Sequence, residues 1–353
     1  MSSSSKYDKI FKEFKNKEND IQDFPKIYDQ EGPGRIREII YKGRPFLAKL
    51  VEKNPKNDFD INKFRGPHLL KIFNIISRKH NGTEYELIIM EKAVLNNLGK
   101  LIQFMREHQK LLKLIYNPFS EIISDNILRF FTKQIVEGLK ILEINDLVHF
   151  DIKQENILVN AGLNLKISDS YFLKDLSKGK QFKIPEGIKG YLTPEFYQEK
   201  KEIDSETTKK QDYFALGATL FLLKVGHQML DYKEYEEKQL TEDRVIDLIQ
   251  RDMALIQSNP LASSDFIEFI CNLINYIPED RPTFEEIYRN KWLNTYSDEI
   301  ELVKNLYIDK EEDKYIREII KSDFLIEKKE VLGLEKKNKK RNFKFTPSKK
   351  PQN

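Results

Sequence analysis

Between residues 149 and 159 the chain reads His149-Phe150-Asp151-Ile152-Lys153-Gln154-Glu155-Asn156-Ile157-Leu158-Val159, an acid, a base and an amide at fixed offsets followed by a strand-like apolar run. Asp151 can accept a proton from a hydroxyl, Lys153 can neutralise a phosphate oxygen, and the side-chain oxygen of Asn156 can hold a hard cation. A second acid, Asp169, follows the strand-like Leu165-Lys166-Ile167-Ser168. An Asp and an Asn held near each other, with a Lys between them in sequence, make a site for a phosphate and its Mg²⁺.

Such groups need a frame, and the flanking sequence supplies one. Ser124 to Asn145 predicts a long helix whose Ile127, Leu128, Phe131, Ile135, Leu139 and Leu142 keep the three-and-four spacing of a buried stripe. It delivers the chain directly to the polar loop. Upstream, Phe24 to Leu50 reads as strand, glycine turn, strand, turn and strand. Leu70 to Ile76 and Glu84 to Met90 read as two more strands, joined by an Asn81-Gly82 turn.

The polar loop resembles the catalytic loop of protein kinases, H-R-D-L-x-x-x-N, and Lys153 places it with the serine/threonine branch. The resemblance runs from about Phe24 to Leu293. It implies an α+β, two-lobed fold with a small β-rich lobe (24–91), a large helical lobe (92–293), and ATP with Mg²⁺ in the cleft. By the same resemblance Asp151 orients the acceptor hydroxyl, Lys153 stabilises the transferred phosphoryl, and Asn156 and Asp169 hold the metal. Gly32-Pro33-Gly34-Arg35-Ile36-Arg37-Glu38-Ile39 looks like the phosphate-covering G-x-G-x-x-G-x-V, with Arg37 at the third glycine. Phe46-Leu47-Ala48-Lys49-Leu50 is similar to the V-A-I-K strand, so Lys49 is expected on the nucleotide's phosphates. Gly32, Gly34, Ile39, Ala48, Met90, Glu91 and Ala93 are the further residues expected to line ATP, with Glu91-Lys92-Ala93 as the hinge that bonds the adenine edge. Kinases hold the strand lysine with a helix glutamate. Here Glu52, Asp58 and Asp60 are the nearby acids, and spacing assigns none of them.

Several positions depart from the family. Phe150 replaces the arginine of H-R-D, which implies activity that does not wait on a phosphate in the activation segment. Asp169-Ser170-Tyr171 stands for D-F-G and keeps the carboxylate. Ile188, in Gly187-Ile188-Lys189-Gly190-Tyr191-Leu192-Thr193-Pro194-Glu195, stands where a threonine is usual. His149 is expected to be a packed brace rather than a base. Glu195 is expected to pair with Arg281, and Asp212 to cap the central buried helix and hold the catalytic-loop backbone. These departures admit a second reading, a pseudokinase scaffold that binds partners with little or no transfer. Against it stand five retained polar residues, Lys49, Asp151, Lys153, Asn156 and Asp169.

The bulk numbers fit this picture. The 353 residues suit two lobes with extensions, 39% hydrophobic content supplies a core, and a net charge of +3 does not point to nucleic acid. A single cysteine, Cys271, excludes an intrachain disulfide framework and fits a reducing compartment. The expected location is intracellular, cytoplasmic or nuclear. No secretory signal is visible, and the longest apolar run, Phe214 to Leu223, is about half a membrane span. Residues 1–23 predict an amphipathic helix that packs on the body (Tyr7, Ile10, Phe11 and Phe14 at helical spacing). Residues 294–334 read as a charged helical extension able to dock or to bind a partner, and 335–353 as a basic disordered tail. Partners expected are ATP and a protein carrying a Ser or Thr acceptor.

Overall fold

Alternating β-branched and aromatic residues build the first half of the chain into strands. The computed structural model describes residues 7, 9–14, 21–28, 35–53, 60–93, 96–103, 123–160, 163–178, 191–197, 203–230 and 241–295. β1 (Ile21–Tyr28), β2 (Arg35–Tyr41), β3 (Arg44–Glu52), β4 (Ile72–His80) and β5 (Thr83–Met90) form one antiparallel sheet in the order β1-β2-β3-β5-β4. β1 thus begins three positions before the expected Phe24. Two tight turns join its hairpins, Lys42-Gly43 (φ 50° and 74°) and Asn81-Gly82 (φ 49° and 84°). Positive φ at both central positions matches the right-handed twist of the strands they connect.

The register divides this sheet into two faces, because directly paired residues share a side and successive residues alternate. Ile36 pairs with Lys49 and Lys49 with Ile88; Glu38 pairs with Leu47 and Leu47 with Met90. These rows lie on one face. Ile39 pairs with Phe46, and Arg37 with Ala48 and Ala48 with Ile89, on the other. That second face is apolar and is covered by helical residues 9–14. Ile10, Phe11 and Phe14 pack there with Ile39, Ala48, Leu50, Tyr85, Leu87 and Ile89. Ile39 and Ala48, expected to line the nucleotide, therefore point away from Lys49 and into this helix–sheet core.

The second half is helical. α1 (Asp125–Ile144) starts where the Ser124 hydroxyl accepts the Ile127 N–H at 3.3 Å. α2 (Ser205–Val225) is buried along most of its length. Its cap is Asp204, which accepts the Thr207 N–H at 3.0 Å. Asp212, expected at that cap, lies two turns inside the helix instead. α3 (Glu242–Gln257), α4 (Ser264–Leu273) and two short helices, Phe284–Tyr288 and Lys291–Asn294, follow, and Trp292 stacks on Phe269 with ring centroids 4.9 Å apart. α2 and α4 approach so closely at Gly217 that a Cβ there would meet the Ile274 side chain at 2.6 Å. Two short ribbons lie against α1 and α2, β6 (Leu147–Val148) with β9 (Lys174–Asp175) and β7 (Ile157–Asn160) with β8 (Asn164–Ile167). The polar loop hangs between β6 and β7, and Asp169 follows β8. The whole is an α+β, two-lobed architecture. Among the described residues no helix is long and apolar enough to cross a membrane.

Candidate active site

Asp212 holds the polar loop from below. Its carboxylate, sealed inside α2, accepts the N–H of His149 at 2.7 Å and of Phe150 at 2.9 Å. Burial pushes its pKa up to about 7, against the pull of those two amides. His149 is fully buried, and burial also lowers its pKa, so the ring is neutral. Its Nε2 donates to the Ser168 carbonyl at 2.9 Å, which leaves Nδ1 to accept the Asp151 N–H at 3.3 Å. The ring is a strut between the polar loop and the segment that carries Asp169.

Phe150 takes a left-handed backbone conformation, φ 63°, and Asp169 another, φ 64°. Such conformations cost a non-glycine residue roughly 1–3 kcal/mol and persist only where surroundings over-determine them. For Phe150 the surroundings are an apolar cluster of Val148, Leu176, Leu192 and Ile203. The side chain that replaces the family's arginine thus anchors the following segment by packing rather than by charge.

Asp151 is 3% exposed. Its Oδ2 accepts the Asn156 Nδ2 at 2.6 Å, and the same amide also donates to the Asp151 carbonyl at 2.9 Å. Oδ1 lies 2.8 Å from the Lys153 ammonium, close enough for an ion pair but outside hydrogen-bond alignment, so this buried oxygen has no hydrogen-bond partner. With its nitrogen committed to Asp151, Asn156 keeps its oxygen as an acceptor. The Asn156 carbonyl takes both the N–H (2.8 Å) and the hydroxyl (2.9 Å) of Ser168, which brings Asn156 beside Asp169.

Lys49 crosses from β3 to Asp169, donating to both carboxylate oxygens at 2.8 Å. Burial raises the Asp169 carboxyl, but the charge and hydrogen bonds of Lys49 outweigh it and hold the group below the ordinary carboxylate value. Lys49 thus has an ionic partner in Asp169, which neither Glu52 nor Asp60 supplies. Asp60 caps a short helical turn, Ile61–Lys63, and Glu52 is exposed on strand positions of the opposite parity. Asp58 lies outside the described residues, as do Gly32, Gly34 and Ile188. Arg37 points away from the cleft, its guanidinium 4.5 Å from the Phe11 ring centroid.

At the other end of the cleft Met90 closes the row that begins with Glu38 and Leu47. Glu91 spends its N–H on the Lys71 carbonyl at 2.9 Å, which ties the segment that continues to Ala93 back to the residue before β4. Leu47 and Glu38 were missed by motif reading. Counting by twos along the strand from Lys49 identifies Leu47, and the strand pairing then gives Glu38. The residues at the polar end fit a phosphate and a divalent cation in kind: Asp169 supplies a carboxylate held by Lys49, Asn156 an amide oxygen, and Lys153 an ammonium against the buried Oδ1 of Asp151, which lacks a hydrogen-bond donor. Away from the cleft, Arg281 holds Glu195 through two bonds of 2.6 and 2.7 Å, with Arg281 also donating to the Asn275 carbonyl at 2.7 Å.

The chain belongs to the protein kinase family: the Protein kinase domain matches residues 61–293. The match begins after β3, so Lys49 and the first three strands lie outside it. NUAK family SNF1-like kinase 1 of Mus musculus is 25% identical over 265 residues, covering 72% of this chain and 35% of that protein. The probable cell cycle serine/threonine-protein kinase CDC5 homolog of Encephalitozoon cuniculi is 24% identical over 257 residues, 72% of this chain and 48% of its own length. Serine/threonine-protein kinase ATG1 of Komagataella pastoris is 24% identical over 325 residues, 83% of this chain and 38% of its own. The chain spans less than half the length of each of these relatives. A domain of this family works on ATP with a divalent cation.

Proposed function

We propose that the chain is an active serine/threonine protein kinase, carrying the γ-phosphoryl of ATP with Mg²⁺ to a protein hydroxyl. The observation that carries this reading is the buried Oδ1 of Asp151, ion-paired with Lys153 yet without a hydrogen-bond donor, while Asn156 immobilises the other oxygen. A substrate hydroxyl is the donor that fits this vacancy in the bonding. Its proton passes to Asp151 as its oxygen bonds to phosphorus, the bond from the γ-phosphorus to the bridging oxygen breaks, and ADP leaves. Lys153 sits against the equatorial charge of the transferred group. Asn156 and Asp169 would hold the cation, and Lys49 would turn from Asp169 to the upstream phosphates. Glu91 and Ala93 would offer their backbone to the base, with Gly32 and Gly34 over the phosphates. Most of the acceleration then comes from positioning and fixed charge. The same reading takes 24–293 as the catalytic domain, with an intracellular protein as substrate.

A second reading, a pseudokinase scaffold, draws on the Lys49–Asp169 pair, which already occupies the metal-binding carboxylate. Transfer from labelled ATP to a mixed peptide library decides between them. The wild type is expected to phosphorylate Ser or Thr peptides. Asp151→Asn is expected to bind nucleotide as before and to lose about 10²–10⁴ in rate, and Asp169→Ala to lose metal-dependent nucleotide binding. Equal affinity and equal activity in both variants would sink the assignment. Absence of transfer by a wild type that ATP still stabilises against heat would establish the scaffold.

A further inference from the structure

The face of the sheet that looks into the cleft carries a carboxylate where a planar base would be roofed. Glu38, Leu47 and Met90 stand in one row across β2, β3 and β5, the next row along being Ile36, Lys49 and Ile88. Lys49 fixes which way this face looks, because it reaches Asp169. Glu38 is only 9% exposed, and its carboxylate contacts the ammonium of Lys92, which lies in the hinge two residues beyond Met90. The lysine is half exposed and the glutamate is not, so the lysine comes to the glutamate and the pair ties β2 to the hinge.

We propose that Glu38 and Lys92 form a latch across the base-binding end of the cleft, which a purine nucleotide must open to enter, so that Glu38 limits nucleotide affinity instead of supporting it. Leu47 and Met90 offer apolar surface on which a base can lie. The carboxylate beside them has to be desolvated against the base and adds a negative charge near a polyphosphate. The peptide edge from Glu91 to Ala93, to which the base would bond, straddles Lys92. A base seated on that edge and roofed by this row meets the ion pair first. The pair also offsets part of the desolvation cost of a buried carboxylate in the free protein, since the ammonium neutralises it while the site is closed. Glu38→Val leaves the roof apolar and frees the hinge. Lys92→Met does the opposite, since it strands a desolvated carboxylate over the base.

This inference rests on the reading that nucleotide binds in the cleft, and the test separates the two. Equilibrium binding of ATP with Mg²⁺, and of uncharged adenosine, is measured by calorimetry on the full chain for the wild type, Glu38→Val, Glu38→Gln, Lys92→Met and the double variant Glu38→Val/Lys92→Met. Heat denaturation without ligand checks that each is folded, and Glu38→Gln, which keeps the side-chain shape, carries the test if the valine variant does not fold. Glu38→Val is expected to bind both ligands about fivefold more tightly, the upper end of what one partly exposed ion pair contributes. Glu38→Gln is expected to move the same way by a smaller factor, Lys92→Met not to tighten, and the double variant to follow Glu38→Val. Unchanged or weaker binding by both Glu38 variants, with the wild type binding normally, would overturn the latch and leave nucleotide binding standing. No binding by any of the five proteins would remove both.

Discussion

Asp151 in the helical lobe and Lys49 in the sheet lobe are both nearly enclosed, at 3% and 7% exposure, and each carries a charge that the proposed chemistry would use. What holds them differs. Around Asp151 the fixings are polar: Asn156 on one oxygen, His149 on its amide, and Asp212 beneath the two residues before it. Around Lys49 they are apolar. The strand that carries it is gripped from behind by Ile10, Phe11 and Phe14 on Ala48 and Leu50, and the lysine meets charge at its tip, on Asp169. One half of the site is therefore sensitive to protonation and to the loss of single hydrogen bonds, and the other to the loss of packing volume. A cleft assembled from two such halves can be altered by strand substitutions in the sheet lobe without disturbing the hydrogen bonds of the Asp151 loop.

Removing one partner of a buried ion pair in the helical lobe should have the largest effect on stability. Glu195→Ala leaves Arg281 uncompensated and should cost about 3–5 kcal/mol, read as a lower urea midpoint. In the sheet lobe, Phe14→Ala should cost about 3 kcal/mol through the cavity it opens, and should weaken nucleotide binding while the hydrogen bonds of the Asp151 loop are untouched. If Phe14→Ala leaves both stability and nucleotide binding as they were, the helix is not the support of β3. A pH titration of stability sharpens the polar side. Asp212 has a folded pKa of about 7, above its unfolded value of 3.8. The folded protein keeps a proton there that the unfolded chain gives up, so this stability is present below about pH 4 and is lost as pH rises through 7. Asp212→Asn should flatten that slope, and an unchanged slope would locate the titration elsewhere. The smallest effect belongs to the exposed side of the sheet lobe. His80 and Glu13 lie 2.8 Å apart, and Glu13→Gln should shift stability by less than about 0.5 kcal/mol.

The loop from His149 to Asn156 was legible in the sequence because its chemistry sits at short, fixed offsets. Residue types alone located it, and the helix from Ser124 to Asn145 was legible from its buried stripe. Family membership then agreed with the motif over 61–293. What was not legible depends on distance or parity. The partner that Lys49 has among the described residues, Asp169, is 120 positions away, and no local acid count could reveal it. Ile39 and Ala48 were read by their places in named motifs, while the pleat turns them outward and turns Glu38 and Leu47 inward. Asp212 was placed at the start of its helix because an Asp before an apolar run looks like a cap, yet Asp204 lies closer to the true beginning and takes that role.

The cover over the outer face of the sheet has a consequence for how the chain acquires its structure. Residues 9–14 precede every strand they touch, and their last partners, Tyr85, Leu87 and Ile89, sit on the strand made last in that sheet. During synthesis this short apolar helix emerges long before its seat exists, and closing the loop between them requires the whole sheet to pair first. Until β5 is in place, Ile10, Phe11 and Phe14 lack part of their seat, and the apolar surface left open is a hydrophobic handle for chaperones or for neighbouring nascent chains.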